Sequence, residues 1–151
     1  MDRFILTVGL GTGSSSLNSF DAALYSSGVA NYNLVRVSSI LPAKAIEKNE
    51  ISIQEGSVLH TAYAAETTNI NGDIISAAIA VGVPTDDSHV GVIMEFSGHC
   101  SKEEAEGQVV AMVDEAMKLR GYQVKEIKHQ AVEAKGISEK FTTVFAAIAM
   151  W

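Results

Sequence analysis

The order of predicted elements indicates an α+β domain. A strand, a helix and a strand come first, several strands follow, and one long helix precedes two final strands. A parallel α/β sheet would need regular alternation of strand and helix, which this order lacks. The 151 residues are most simply one domain around one core.

Composition limits the classes of partner. The chain is 47% hydrophobic and only 19% charged, and we expect a homo-oligomer to cover the surplus apolar surface. The net charge of −7, without a cluster of basic residues, argues against nucleic acid and anionic membranes. The single Cys100 cannot form an intrachain disulfide, and neither a signal peptide nor a long apolar span is visible. We therefore expect a cytoplasmic protein.

The first third of the chain predicts a strand over 4–9, a helix over 17–28 and a strand over 31–37. Helical spacing places Asp21 on the apolar face of the helix. Pro42 prevents continuation of the second strand in the middle of a sheet.

The segment GLGTGSSS after the first strand invites comparison with phosphate-binding loops. Its spacing is Gly-x-Gly-x-Gly, no P-loop lysine follows, and no acidic strand end occurs about 20 residues later. We favour a tight loop, and a nucleotide-binding oxidoreductase is the weaker alternative.

The rest of the chain predicts mainly strands. Residues 43–56 are a charged loop with room for a short strand, and Asn71-Gly72 predicts a hairpin between strands 57–67 and 73–83. The second of these strands is apolar on both faces and should lie in the centre of a sheet. A strand over 90–96, a helix from the capping box at Ser101 to about Arg120, and strands over 123–134 and 141–151 complete the pattern.

Two carboxylates fall on predicted apolar faces, Asp21 on the helix and Glu95 on the strand 90–96. A buried carboxylate is costly unless it is paired, protonated or functional. Pairing with Arg36, a lysine or a backbone amide is one interpretation, but the two together favour a site. We expect no metal site, because the following residues lack chelating spacing: His60, His89, His99 and Cys100.

Ser38 and Ser39 end the strand in NLVRVSSILP. Serines often terminate strands because their hydroxyls compete for backbone hydrogen bonds. The Ser39 hydroxyl could instead attack the Ser38 carbonyl and convert the peptide into an ester. β-Elimination would then free the Ser38 carboxylate, and the dehydroalanine left at position 39 would hydrolyse to a pyruvoyl group.

Six segments resemble the pyruvoyl-dependent arginine decarboxylase family in the right order: LNSFDAAL, NYNLVRVSSILP, EGSVLHTAYA, DIISAAIAV, GVIMEFSGHCSKEEAE and VFAAIAMW. The resemblance implies a mixed or antiparallel β-sandwich flanked by helices in αββα layers. It also implies self-cleavage of the single domain into residues 1–38 and 39–151.

The same resemblance implies residue roles. Ser39 would supply the pyruvoyl group after cleavage from Ser38, Asn33 would assist self-processing, Asp21 would bind the substrate guanidinium, and Glu95 would be the catalytic acid. The implied reaction converts L-arginine to agmatine and CO₂ through a Schiff base, without an external cofactor, as in polyamine biosynthesis.

The resemblance further implies trimers or dimers of trimers. In an extended strand Asn33 and Ser39 would lie about 20 Å apart, so either the chain bends sharply or Asn33 acts on a neighbouring copy. Two alternatives stay open. One is a pyruvoyl-dependent decarboxylase of another amino acid, and the other is an unprocessed, non-catalytic assembly or regulatory subunit.

Overall fold

The computed structural model describes residues 1–151 as two helices and nine strands. Two sheets pack face to face and one helix covers the outer face of each, which confirms the predicted α+β sandwich in helix, sheet, sheet, helix layers. The elements are β1 (Arg3–Gly13), α1 (Ser16–Ser27), β2 (Asn33–Arg36), β3 (Ile40–Leu41), β4 (Ile46–Glu47), β5 (Val58–Thr68), β6 (Ile74–Pro84), β7 (Gly91–Gly98), α2 (Lys102–Leu119), β8 (Val124–Lys135) and β9 (Phe141–Met150).

The two sheets differ in strand direction. The five-stranded sheet has the order β2-β5-β9-β1-β4, with antiparallel strands in its centre and a parallel strand at each edge. The four-stranded sheet has the order β3-β7-β6-β8 and is antiparallel throughout. Mixed and antiparallel pairing are therefore both present, as predicted.

The core lies in three layers, one between the sheets and one under each helix. Strands β6 and β9 are central, and their apolar residues are buried on both faces, as predicted for β6. The α2 helix begins with the predicted capping box, in which the Ser101 hydroxyl and the Glu104 carboxylate each accept a backbone N–H. Neither helix is both long and apolar enough to cross a membrane.

The glycine-rich segment forms the second half of β1, so the prediction of a tight loop is wrong. Gly9, Gly11 and Gly13 alternate along the strand and face α1. A Cβ at Gly9 would lie 2.2 Å from the Ala23 carbonyl oxygen, so the helix rests directly on strand backbone. The same segment pairs with β9, which leaves no free phosphate-binding loop there.

The predicted hairpin at Asn71-Gly72 is also wrong. Gly72 adopts a left-handed turn conformation with φ of 82°. The turn joins β5 of one sheet to β6 of the other, so the two strands do not pair. The Asn-Gly pair predicts a tight turn but does not determine which strands pair. β6 pairs with β7 and β8 in the centre of the four-stranded sheet, where α2 covers its apolar residues.

Candidate active site

Ser38 and Ser39 lie where the chain crosses from one sheet to the other. β2 ends at Arg36 in the five-stranded sheet, and β3 begins at Ile40 in the four-stranded sheet. The crossing is fixed at both ends, because the Val37 N–H donates to the Thr61 carbonyl at 3.2 Å and the Ile93 N–H donates to the Ser39 carbonyl at 2.9 Å. The serines therefore occupy a short anchored connection instead of a frayed strand end.

Glu95 lies beside Ser39. The Ser39 hydroxyl donates a 2.7 Å hydrogen bond to Glu95 Oε2. Glu95 shares the inward face of β7 with Ile93, as predicted, and its side chain is 22% exposed at the rim of the sandwich. The fold thus brings a nucleophilic hydroxyl and a half-buried carboxylate into contact from positions 56 residues apart in sequence.

Arg36 faces the second oxygen of Glu95. Its Nη2 lies 4.0 Å from Glu95 Oε1 and donates to the Tyr63 carbonyl at 3.0 Å. The guanidinium carbon lies 4.7 Å from the centre of the Tyr63 ring, within the range of a cation–π interaction. Pairing with Arg36, one of the interpretations weighed for the carboxylates, is observed for Glu95. The pair is exposed on its arginine side and contributes little to folding stability.

A cavity of about 300 Å³ opens beside the crossing segment. Its walls are mostly apolar, and Arg120 is the one charged residue among them. The lining residues are Ser38, Ser39, Ile40, Val92, Ile93, Met94 and Arg120. Arg120 is not among the site residues predicted from the sequence, because it follows α2, 81 positions after Ser39, and nothing in the local pattern signals this proximity.

Asn33 is separated from Ser39 within this chain. It begins β2 and its side-chain amide donates to the Gly56 carbonyl at 2.7 Å. The chain bends only after Arg36, and that bend carries Ser39 away to the other sheet. Of the two predicted solutions, a bend that joins Asn33 to Ser39 is thus not observed.

Asp21 is exposed, so its prediction on a buried face is wrong. The buried residues of α1 are Ser19, Ala23 and Ser27. Asp21 is two residues from Ser19, or about 200° around the helix, and it lies on the outer face. The small residues face inward because α1 lies against the glycines of β1, whereas the larger Leu17 is 76% exposed.

His99 and Cys100 lie after β7, outside the cavity at Ser39. The His99 Nδ1 lies 2.9 Å from Asp73 Oδ2, which also accepts the Thr68 hydroxyl. The hydrogen bond and charge of Asp73 raise the pKa of His99. Hydrogen bonds from Thr68 and then from His99 lower the pKa of Asp73.

Comparison with known proteins identifies the family. The family model described as pyruvoyl-dependent arginine decarboxylase matches residues 3–151. The chain belongs to this family. A pyruvoyl-dependent arginine decarboxylase of Methanocaldococcus jannaschii is 40% identical over 97% of this chain and 87% of its own length. Relatives with the same name from Thermococcus sibiricus and Pyrococcus abyssi are each 38% identical, over 98% and 99% of this chain and 94% of their own lengths.

The pyruvoyl group that gives the pyruvoyl-dependent arginine decarboxylases their name fits the residues at the crossing. Such a group forms from a serine, and Ser39 carries the hydroxyl that contacts Glu95. The Ile93 N–H holds the carbonyl of residue 39, an atom that serine conversion leaves in place. The apolar walls of the neighbouring cavity leave space for a small substrate.

Proposed function

We propose that this chain decarboxylates L-arginine to agmatine and CO₂ with a pyruvoyl group made from its own Ser39. Membership of the pyruvoyl-dependent arginine decarboxylase family supports the reaction. The observation that carries the assignment to particular residues is the hydrogen bond between the Ser39 hydroxyl and Glu95.

Self-processing begins at the crossing segment. Ser39 Oγ attacks the Ser38 carbonyl carbon, the peptide C–N bond breaks, and the hydroxyl proton passes to the amine of residue 39. Loss of the Ser39 α-proton then breaks the Cβ–Oγ bond of the ester and frees the Ser38 carboxylate. This elimination separates residues 1–38 from residues 39–151. Hydrolysis of the dehydroalanine at residue 39, through its imine tautomer, then consumes one water, releases ammonia and leaves the pyruvoyl group.

Glu95 is the acid of the decarboxylation step. When formed, the pyruvoyl group accepts the electrons that are released as CO₂ leaves the substrate. Glu95 then delivers a proton to the substrate α-carbon, which its contact with residue 39 favours.

Asp21 binds the substrate guanidinium through two parallel hydrogen bonds, which favour arginine over lysine. Within one chain Asn33 is bonded to Gly56 instead of facing Ser39, and Asp21 faces outward on α1. We therefore place Asp21 and Asn33 of one copy beside Ser39 and Glu95 of another, in a trimer or dimer of trimers. Exposed Leu17 and Tyr25 on α1 support burial of that helix between copies. The free thiol of Cys100 fits the reducing cytoplasm.

The experiment is an assay of CO₂ release from carboxyl-labelled L-arginine, with agmatine measured by mass spectrometry. The wild-type protein should release CO₂ and form agmatine, and Ser39→Ala should do neither. Equal turnover of arginine by both proteins would refute the proposal. Release of CO₂ from another amino acid alone would refute only the substrate assignment.

A further inference from the structure

Arg120 occupies an unusual position in the cavity at the crossing segment. It is the only charged residue of the seven that line the cavity, and it shares the cavity with both serines of the scissile bond. It follows the last turn of α2 as the C-terminal capping residue. Arg120 has no role in the proposed decarboxylation, which involves residue 39, Glu95 and Asp21.

Self-processing creates a negative charge in this region. The elimination step turns the Ser38 carbonyl group into a carboxylate, which is the leaving group of that step. Two neighbours disfavour a new anion: the Glu95 carboxylate, which contacts Ser39, and the C-terminal end of α2, where the helix dipole is negative. A cation beside Ser38 would therefore stabilise the leaving carboxylate while the Cβ–Oγ bond breaks.

The guanidinium of Arg120 is available for this role. One nitrogen, Nη1, donates to the Ala116 carbonyl at 3.0 Å, which anchors the side chain to the helix end. A guanidinium has five N–H donors, so most of them stay free for a carboxylate. Arg36, the other nearby cation, is already engaged by the Tyr63 carbonyl, the Tyr63 ring and Glu95.

We propose that Arg120 binds the Ser38 carboxylate as it forms and so accelerates the elimination step of self-processing. The inference rests on the proposed function, since it assumes scission at Ser38-Ser39. It makes Arg120 a residue of chain maturation, acting on the ester before any substrate is present.

Scission kinetics test this role directly. Wild-type, Arg120→Gln and Arg120→Lys chains are made by cell-free synthesis with a short radioactive pulse, and cutting is followed on denaturing gels. Uncut chains are treated with hydroxylamine, which cleaves an ester at residue 39 but leaves a peptide intact. We expect Arg120→Gln to be cut about 10- to 100-fold more slowly, the effect of losing a hydrogen bond to a charged group, and its uncut chains to be hydroxylamine-sensitive. Arg120→Lys should recover part of the rate.

Lys118→Gln is the matched control, because it removes a positive charge from the same helix end but lies outside the cavity. It should be cut at the wild-type rate. Arg120→Gln cut at the wild-type rate, slowed without ester, or slowed no more than Lys118→Gln would overturn the role of Arg120. If Arg120→Gln fails to fold, ester accumulation in Arg120→Lys decides the question. A wild-type chain that is never cut would refute the proposed function instead.

Discussion

The hydroxyl of Ser39 and the carboxylate of Glu95 are joined by a 2.7 Å hydrogen bond in the uncut chain. The residue that would become the prosthetic group therefore already contacts the residue that would deliver the proton. Both stages of the proposed chemistry occur at this one contact. They should nevertheless respond differently to substitution, because only decarboxylation needs Glu95 as a proton donor.

Replacement of Glu95 separates the two stages. Glu95→Gln keeps the size of the side chain and an oxygen that accepts the Ser39 hydroxyl, but it cannot donate a carboxyl proton. We expect scission to continue while CO₂ release falls at least about 100-fold, the usual contribution of a general acid. Intact mass and CO₂ assays check this. Glu115→Gln, at an exposed position on α2, is the control and should keep both properties.

Mixed assemblies test whether Asn33 acts on a neighbouring copy. Asn33→Ala chains alone should stay uncut, and Ser39→Ala chains cannot be cut. When the two variants are refolded together, the Ser39→Ala copy supplies its Asn33, so a fraction of the Asn33→Ala chains should be cut. A tag on one variant lets mass spectrometry identify the cut chain. If no cut chain forms in mixed oligomers, Asn33 does not act between copies.

Asp21 should control substrate choice. Asp21→Asn removes the charge that pairs with a guanidinium, and we expect kcat/KM for arginine to fall about 10- to 100-fold. Turnover of norleucine, whose side chain is uncharged, should change much less. Steady-state kinetics with both amino acids give the comparison. An equal loss for both substrates would contradict guanidinium binding by Asp21.

His99 and Asp73 predict a pH-dependent stability. The pKa of His99 is raised, so its pairing stabilises the fold fully below its ordinary value of 6.5 and is lost as the pH rises through the raised pKa. The pKa of Asp73 is lowered, so its contribution is present above 3.8 and is lost as the pH falls through the lowered pKa. The Tm difference between wild type and His99→Gln should therefore be largest between pH 3.8 and 6.5 and decrease at higher pH. A Tm difference that does not change with pH would show that the charges of His99 and Asp73 do not contribute to stability.

Local sequence patterns predicted those parts of the fold that depend on an apolar run, a capping motif or the alternation of faces along a strand. The apolar run of β6, the capping box at Ser101 and the inward face of β7 with Glu95 were all predicted correctly. Each of these depends on neighbours within one element. The pairing of Glu95 with Arg36 could be considered from the sequence, because both are charged residues near apolar strand positions.

Other features depend on contacts between elements and could not be predicted locally. Gly9 continues a strand because a helix lies against its backbone, and Asp21 faces outward because that helix contacts the strand through small residues. Arg120 reaches the crossing segment through the packing of α2 on the four-stranded sheet. No residue spacing within a single element predicts these contacts between elements.

The intact mass of the purified protein under denaturing conditions shows whether the chain is cut at Ser39 and whether a pyruvoyl group forms there. We expect two species, residues 1–38 with a free carboxylate and residues 39–151 with a terminal pyruvoyl group that borohydride reduces. The mass of Ser39→Ala should be that of one whole chain. A single uncut mass for folded wild-type protein, unchanged by borohydride, would contradict self-processing at Ser39 and with it the proposed source of the prosthetic group.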